Sequence, residues 1–147
     1  MTGYRKVFVD TAPFIYYIEG SKGNPQYSIR AKTFFQDCYE SEIKLLTSAV
    51  TIEEYKVFPY RNNCHELIES FERLIRVLSI EIVNIDKIVA DKAARIRADY
   101  KAFKGMDSLQ LAAACLERCD LFLTNDKQLK QFDAIKCITM DEIEASS

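Results

Sequence analysis

Lys6-Val-Phe-Val-Asp10, followed directly by Thr11 and Pro13, is the stretch that decides the fold. A short run rich in β-branched and aromatic residues ends in an acid, and residues that favour the start of a helix follow at once. The stretch predicts a buried strand that passes into a helix, Ala12–Ile18, with Thr11 as its N-cap. An acid at such a junction lies at the edge of an α/β sheet where ligands bind.

The same alternation of strand and helix continues along the chain. The further predicted strands are Lys44–Thr47, Ser79–Ile85, Leu121–Thr124 and Ile135–Thr139. Apolar spacing and capping residues predict further helices over Ile29–Glu42, Ala49–Phe58 (ended or kinked by Pro59), Asn62–Val77, Asp86 to about Phe103 (closed by Gly105), Asp107–Cys119 and Asp126–Phe132. We therefore expect an α/β fold of three layers, α/β/α, around a central, mostly parallel five-stranded sheet.

Length and composition place the chain among ordinary globular proteins. Its 147 residues suit one domain, and we expect residues 1–147 to form a single unit. The apolar runs are too short to span a bilayer, and the first residues lack the apolar region of a secretory signal, so we expect no membrane association and a cytoplasmic location. Five scattered cysteines predict reduced thiols rather than a disulfide framework. A net charge of −2 neither indicates nor excludes nucleic-acid binding.

Four carboxylates stand where the chain passes from strand to helix, namely Asp10, Glu54, Asp107 and Asp126. Each acid alone has an ordinary reading as a helix cap or a solvated side chain. Together they predict acids that converge at the carboxyl edge of the sheet, where they repel one another unless a hard cation lies between them. Asp120 precedes its strand, so we expect it at the opposite edge.

Other hydrolytic chemistry has little support in the sequence. His65 is the only histidine, which excludes an acid–base ribonuclease that uses two histidines. There is no G-x-S-x-G elbow and no glycine-rich phosphate loop. The chemistry left is a divalent cation held by oxygen ligands and acting on phosphate esters.

Four stretches of this chain together resemble one known family. They are Val7-Phe-Val-Asp-Thr-Ala-Pro-Phe-Ile15, Thr47-Ser-Ala-Val-Thr-Ile-Glu-Glu54, Met106-Asp-Ser-Leu-Gln-Leu-Ala-Ala-Ala114 and Leu121-Phe-Leu-Thr-Asn-Asp126. In this order and at these spacings, the chain resembles the PIN-domain nucleases, including the VapC-type toxins of bacterial toxin–antitoxin pairs. The resemblance extends from Val7 to about Thr139.

The resemblance implies a nuclease that depends on Mg²⁺ or Mn²⁺ and cuts single-stranded RNA endonucleolytically. It implies that the metal and catalytic residues are Asp10, Glu54, Asp107 and Asp126. Aligned from Thr47, the family pattern puts the second acid at Glu54 rather than at the adjacent Glu53. It also implies a cognate antitoxin protein as a partner and pairing as a homodimer. The alternative is a catalytically inactive PIN-like domain that binds RNA or acts as a scaffold.

Supporting roles follow from side-chain chemistry. Thr11 and Asn125 are suited to hold a ligand water or a phosphate oxygen, and Arg95 and Lys104 belong to a basic run that suits a phosphate backbone or a solvated helix face. Two further functions need residues that this chain lacks at the required positions. A phosphoacceptor signalling domain needs a late basic partner, but Lys136 lies at the wrong edge. An aspartate-nucleophile phosphatase needs a second Asp where this chain has Ala12.

Overall fold

The computed structural model describes residues 3–144. Within them lie five strands, β1 (Lys6–Val9), β2 (Lys44–Ser48), β3 (Glu81–Val83), β4 (Leu121–Thr124) and β5 (Cys137–Thr139). Six helices connect them, α1 (Thr11–Glu19), α2 (Gln26–Glu40), α3 (Ala49–Arg61), α4 (His65–Val77), α5 (Lys87–Asp99) and α6 (Gly105–Leu116). Short 3₁₀ segments, Lys127–Gln131 and Met140–Glu142, follow β4 and β5. The predicted alternation of strand and helix is therefore confirmed.

The five strands form one sheet in the order β3-β2-β1-β4-β5, and all four pairs of neighbours are parallel. From β1 the chain turns to one side through β2 and β3, and then crosses back to place β4 on the other side of β1. Such a reversal leaves a crevice at the carboxyl ends of the two central strands. Residues that follow β1 and β4 therefore enter the same crevice.

Alternating side chains of the central strands support two separate hydrophobic layers. Val7 and Val9 face a cluster that includes residues of α1 to α4, whereas Phe8 faces a cluster formed largely by α5 and α6. Phe8 stacks on Phe122 of β4 with ring centroids 5.2 Å apart. A strand buried on both faces must be apolar at every position, which explains the unbroken apolar runs of β1 and β4. The predicted three-layer α/β/α architecture is confirmed.

Two predicted helix ends are wrong. Helix α3 continues past Pro59 to Arg61, because a proline in the last turn removes only one backbone hydrogen bond and its ring is buried there. Helix α5 ends at Asp99 rather than near Phe103, because the chain leaves the helix to stack Tyr100 on Phe103, with centroids 4.7 Å apart.

The starts of two helices also differ from the prediction. Gly105 does not close α5 but is the first residue of α6, so Asp107 lies in the first turn of α6 rather than at its start. Thr11 is not the N-cap of α1, since the Asp10 carboxylate accepts a hydrogen bond from the Thr11 amide and caps the helix instead. The other boundaries shift by a few residues, as strand and helix ends do when tertiary contacts decide them.

All five cysteines fall within the described residues and are free thiols, as predicted. Burial raises the pKa of Cys38, Cys119 and Cys137 to about 12, so these thiols are protonated and unreactive at neutral pH. No helix between residues 3 and 144 combines the length and the apolar character that crossing a membrane requires.

Candidate metal and active site

Asp10 lies at the centre of the carboxyl edge of the sheet. Its backbone amide continues the ladder between β1 and β4 by donating to the Leu123 carbonyl at 2.9 Å. Its carboxylate faces into the crevice, where Oδ1 accepts from the Thr11 amide at 2.9 Å and Oδ2 accepts from the Thr124 hydroxyl at 2.8 Å. Strand β4 therefore helps to hold the first acid, because Thr124 is its last residue.

Glu54 reaches the same edge from the second turn of α3. The Thr11 hydroxyl donates to Glu54 Oε1 at 2.6 Å, and Glu54 lines the cavity that contains Asp107 and Asp126. Glu53 does not line this cavity, since adjacent helical positions point about 100° apart. The structure thus brings Glu54, and not Glu53, to the other acids.

A cavity of about 670 Å³ lies over the other two acids. Its polar lining comes from the acids Glu54, Asp107 and Asp126, the bases Arg97 and Lys104, and Ser108. A second open cavity of about 530 Å³ is lined by both Asp10 and Asp126, so Asp126 borders both spaces. The four predicted acids therefore share one edge of the molecule.

Asp107 also caps its helix. Its Oδ2 accepts weakly from the Lys104 amide at 3.4 Å, in the geometry of a capping box. Asp126 is placed similarly, since its Oδ1 accepts from the Gln128 amide at 3.0 Å and caps the 3₁₀ segment after β4. Each of these acids can cap a helix and also bind a metal ion, because each retains a carboxylate oxygen that the cap does not use.

Burial and neighbouring negative charges raise the pKa of two of the acids, Asp10 and Asp107. Burial raises the pKa of Asp10, and the neighbouring Glu54 charge adds to the rise, against the effect of three hydrogen bonds. Burial likewise raises the pKa of Asp107, with further contributions from the charges of Asp10 and Asp126. Repulsion among carboxylates at one edge is the pattern that a bound cation relieves.

The donor set fits a hard divalent cation. All four acids offer oxygen ligands, and within residues 3–144 none of the four forms an ion pair with a lysine or arginine. In the described chain, no three Asp, Glu, His or Cys side chains are gathered closely enough to enclose a metal ion unaided. Mg²⁺ suits such a site, because it keeps several waters and takes only one or two direct carboxylates.

The predicted substrate contacts fall in different places. Lys104 lines the larger cavity, but Arg95 does not; its guanidinium forms an ion pair with Asp91 at 3.2 Å and is largely exposed. Arg97, a member of the same basic run that the sequence did not single out, lines the cavity instead and lies against Gly105. Asn125 lines the smaller cavity, where its amide nitrogen donates to the Tyr16 hydroxyl at 2.7 Å.

Three buried polar residues around Asp10 were also missed, namely Thr51, Gln110 and Thr124. Gln110 Nε2 donates to Asp10 Oδ1 at 3.2 Å and to Thr51 Oγ1 at 2.7 Å. The sequence did contain one signal, because Gln110 interrupts the apolar run of α6. A buried amide is costly unless it is fully hydrogen-bonded, so a glutamine at such a position indicates polar partners nearby.

The fold and the site define a class of protein, a doubly wound parallel α/β protein with an acid-lined crevice at its switch point. A family model described as the PIN domain matches residues 7–135. The chain belongs to the PIN domain family. Ribonuclease VapC1 of Aquifex aeolicus (strain VF5) is 28% identical to it over 138 residues, which cover 93% of this chain and 92% of that relative.

Solved structures share the same fold. FitAcB from Neisseria gonorrhoeae has a TM-score of 0.68 at 21% identity and covers 92% of this chain and 99% of its own. VapBC2 from Rickettsia felis, bound to a DNA fragment from their promoter, has a TM-score of 0.67 at 14% identity and covers 91% and 98%. A toxin–antitoxin complex from Klebsiella pneumoniae has a TM-score of 0.62 at 22% identity and covers 91% and 97%. At these identities the likeness shows the fold alone.

Proposed function

We propose that this chain is a metal-dependent endoribonuclease that hydrolyses phosphodiester bonds of single-stranded RNA with Mg²⁺ or Mn²⁺. The observation that carries the proposal is the grouping of four acids at one sheet edge, none of which forms a salt bridge among the described residues. The similarity to a relative named as a ribonuclease supports the same class of reaction.

Each side chain of the site has a role in this proposal. Asp10 and Asp107 would hold the cation directly, and Glu54 and Asp126 directly or through water. The bound ion would polarise the scissile phosphate and lower the pKa of an attacking water. Thr11 holds Glu54 in place through its hydroxyl. Arg97 and Lys104 line the same cavity as the acids, and their positive charges would bind a phosphate backbone there.

The direct test is cleavage of a single-stranded RNA with Mg²⁺, with Mn²⁺ and with excess chelator. We expect cleavage with either ion and none with the chelator, with activity restored by added metal. Chelator-resistant cleavage would contradict the metal requirement. A catalytically inactive RNA-binding or scaffold domain remains the second candidate, and it would show neither cleavage nor much thermal stabilisation by Mn²⁺.

Arg97 and Arg95 offer a matched pair on α5, equal in charge and two positions apart. We expect Arg97→Ala to raise KM for RNA about tenfold, because a lost phosphate contact costs about 1–2 kcal/mol and flattens the salt dependence. Arg95→Ala should stay within about twofold of the parent chain, because its exposed ion pair with Asp91 contributes little. Equal effects of the two substitutions on KM and on the salt slope would contradict an assignment specific to Arg97.

Glu54 and Glu53 allow a second matched comparison. We expect Glu54→Gln to lower kcat about a hundredfold or more, because it removes a charge that faces the other acids. Glu53→Gln should leave kcat near that of the parent chain, since Glu53 is outside the cavity. Steady-state cleavage of one RNA at a fixed Mg²⁺ concentration measures both, and the reverse order of effects would move the metal ligand to Glu53.

We further propose a small antitoxin as a protein partner, a homodimer as the assembled form and the cytoplasm as the location. The likeness to a toxin–antitoxin complex from Klebsiella pneumoniae supports the first of these. Co-expression with the product of the neighbouring reading frame tests it, and we expect co-purification together with loss of RNA cleavage. If RNA cleavage continues in the presence of the product of every neighbouring reading frame, the chain is a stand-alone nuclease without an antitoxin. Light scattering of the purified chain tests the dimer.

A further inference from the structure

Gln110 is a buried amide in the middle of a helix whose buried residues, apart from Gln110 and Ser108, are apolar. Its side chain is 1% exposed, and Leu111 and the three alanines after it are fully buried. It lies three positions after Asp107 on α6, so both side chains leave the helix on the same face. One helix therefore delivers the third acid and this amide to the same edge of the sheet.

The hydrogen bonds around Gln110 leave one arrangement of its amide. Ser48 Oγ already accepts from the Val50 amide, so it uses its own hydrogen to donate to Gln110 Oε1. The amide nitrogen then points at Asp10 Oδ1 and Thr51 Oγ1 and supplies one hydrogen to each. The flipped arrangement would place the amide oxygen against the Asp10 carboxylate, where two acceptors repel.

The neighbouring threonines agree with this arrangement. Thr11 gives its hydroxyl hydrogen to Glu54, at 2.6 Å, and Thr47 gives its own to the Val9 carbonyl, at 2.7 Å. Thr51, which lies 2.7 Å from Thr47 Oγ1 and 3.2 Å from Thr11 Oγ1, donates to one of these oxygens and is free to accept from Gln110. Every hydroxyl and amide of the group then has a partner.

Two donors therefore act on one oxygen of Asp10. Oδ1 accepts from the Thr11 amide and from Gln110, while the Thr124 hydroxyl is the one donor to Oδ2 among residues 3–144. Donors on both oxygens hold the plane of the carboxylate, and Oδ2 keeps the greater share of its acceptor capacity for another partner.

We propose that Gln110 is a positioning residue that orients the Asp10 carboxylate toward the divalent cation. This inference rests on the metal site proposed above. Groups that hydrogen-bond to metal ligands set the ligand orientation, and their removal lowers metal affinity about 10–100-fold. Gln110 acts through Asp10, and it does not itself line either of the two cavities beside the acids.

The experiment measures Mn²⁺ binding to the full chain by calorimetry, without RNA, for the parent and for two Gln110 variants. Gln110→Met keeps the length of the side chain and removes both donors. Gln110→Glu keeps the acceptor for Ser48 but replaces the amide nitrogen with an oxygen. Thr139→Val is the control, because Thr139 is another buried polar residue and its hydroxyl bonds to Glu142 rather than to any of the four acids.

We expect Gln110→Met to weaken Mn²⁺ binding about tenfold or more, with kcat reduced and KM for RNA little changed. Thr139→Val should lose stability but bind Mn²⁺ like the parent chain. This control would show that a loss of stability by itself does not weaken Mn²⁺ binding. Gln110→Glu should also weaken Mn²⁺ binding. Because this variant keeps the contact with Ser48, its weaker binding would reflect the lost donor to Asp10 rather than a loss of folding. Melting curves of each variant establish that the chain is folded under the conditions of the titration.

The outcomes distinguish this inference from the proposed function. Parent-like Mn²⁺ affinity in folded Gln110→Met would overturn the positioning role and leave the metal site intact. The same would follow if Thr139→Val weakened binding as much as Gln110→Met. Absence of Mn²⁺ binding by the parent chain would overturn the metal site, and the positioning role with it.

Discussion

Asp10→Asn is expected to lower kcat/KM for RNA cleavage about a thousandfold at equal metal concentration. The change removes a negative charge from the centre of the acid cluster, and losses of several kcal/mol in transition-state stabilisation correspond to that range. The variant should still fold. The asparagine oxygen can keep the two donors on Oδ1, and Thr124 can accept from the new amide in place of donating to the carboxylate.

Asp120→Asn is the matched control for this experiment. Asp120 follows α6 and precedes β4, where its two oxygens accept from the Arg5 and Lys6 amides at 3.0 and 3.1 Å, at the opposite edge of the sheet. Its replacement should cost about 1 kcal/mol of stability and leave cleavage unchanged. Full cleavage by Asp10→Asn, measured with the same RNA and the same metal, would refute the proposed active site.

Asp107→Asn is expected to stabilise the metal-free protein and to abolish most of its response to metal. Burial and the Asp10 charge hold the pKa of Asp107 above its ordinary value of 3.8. The folded state therefore binds more protons than the unfolded state, and stability from this group is full below the unfolded pKa and is lost as pH rises through the folded pKa. At neutral pH the ionised carboxylate opposes folding, so a neutral asparagine that still accepts from the Lys104 amide removes that penalty.

Differential scanning at neutral pH checks both halves of this expectation. Without metal, Asp107→Asn should melt at a higher temperature than the parent chain. Mn²⁺ at a hundred times its Kd should stabilise the parent chain by about 2.7 kcal/mol, and the variant by much less. At pH well below 3.8 the metal-free advantage should vanish, because the carboxyl is protonated in both states. A variant less stable than the parent without metal, with an undiminished Mn²⁺ response, would contradict the expectation.

The location of the acids in the fold could be predicted from the sequence, because the order of strands and acids along the chain decides at which edge of a parallel sheet each acid lies. An acid after an apolar strand must come out at the carboxyl edge, and an acid before one must come out at the other, as Asp10 and Asp120 do. The hydrogen bonds of Thr11 could not be predicted in this way. It was expected to cap α1, but Asp10 caps the helix and the Thr11 hydroxyl turns to Glu54 instead. Which of two adjacent polar residues takes a cap depends on what else each can bond.

Substrate-side residues were the least readable from sequence. Arg95 and Arg97 have the same charge on the same helix, and only the packing of α5 against α6 decides that Arg97 faces the cavity beside Gly105. Gln110 and Thr51 carried no motif of their own. Their roles come from hydrogen bonds between residues 59 and 100 positions apart, which no local pattern encodes.

Taken alone, the sequence determined the class of fold, the parallel sheet and the set of acids at its carboxyl edge, because hydrophobic periodicity and strand direction are properties of consecutive residues. Tertiary structure alone decided the helix ends at Arg61 and Asp99, the choice of Arg97 over Arg95 and the hydrogen bonds that hold Asp10. These depend on which side chains from distant segments meet, and on how each donor and acceptor is satisfied once they are buried together.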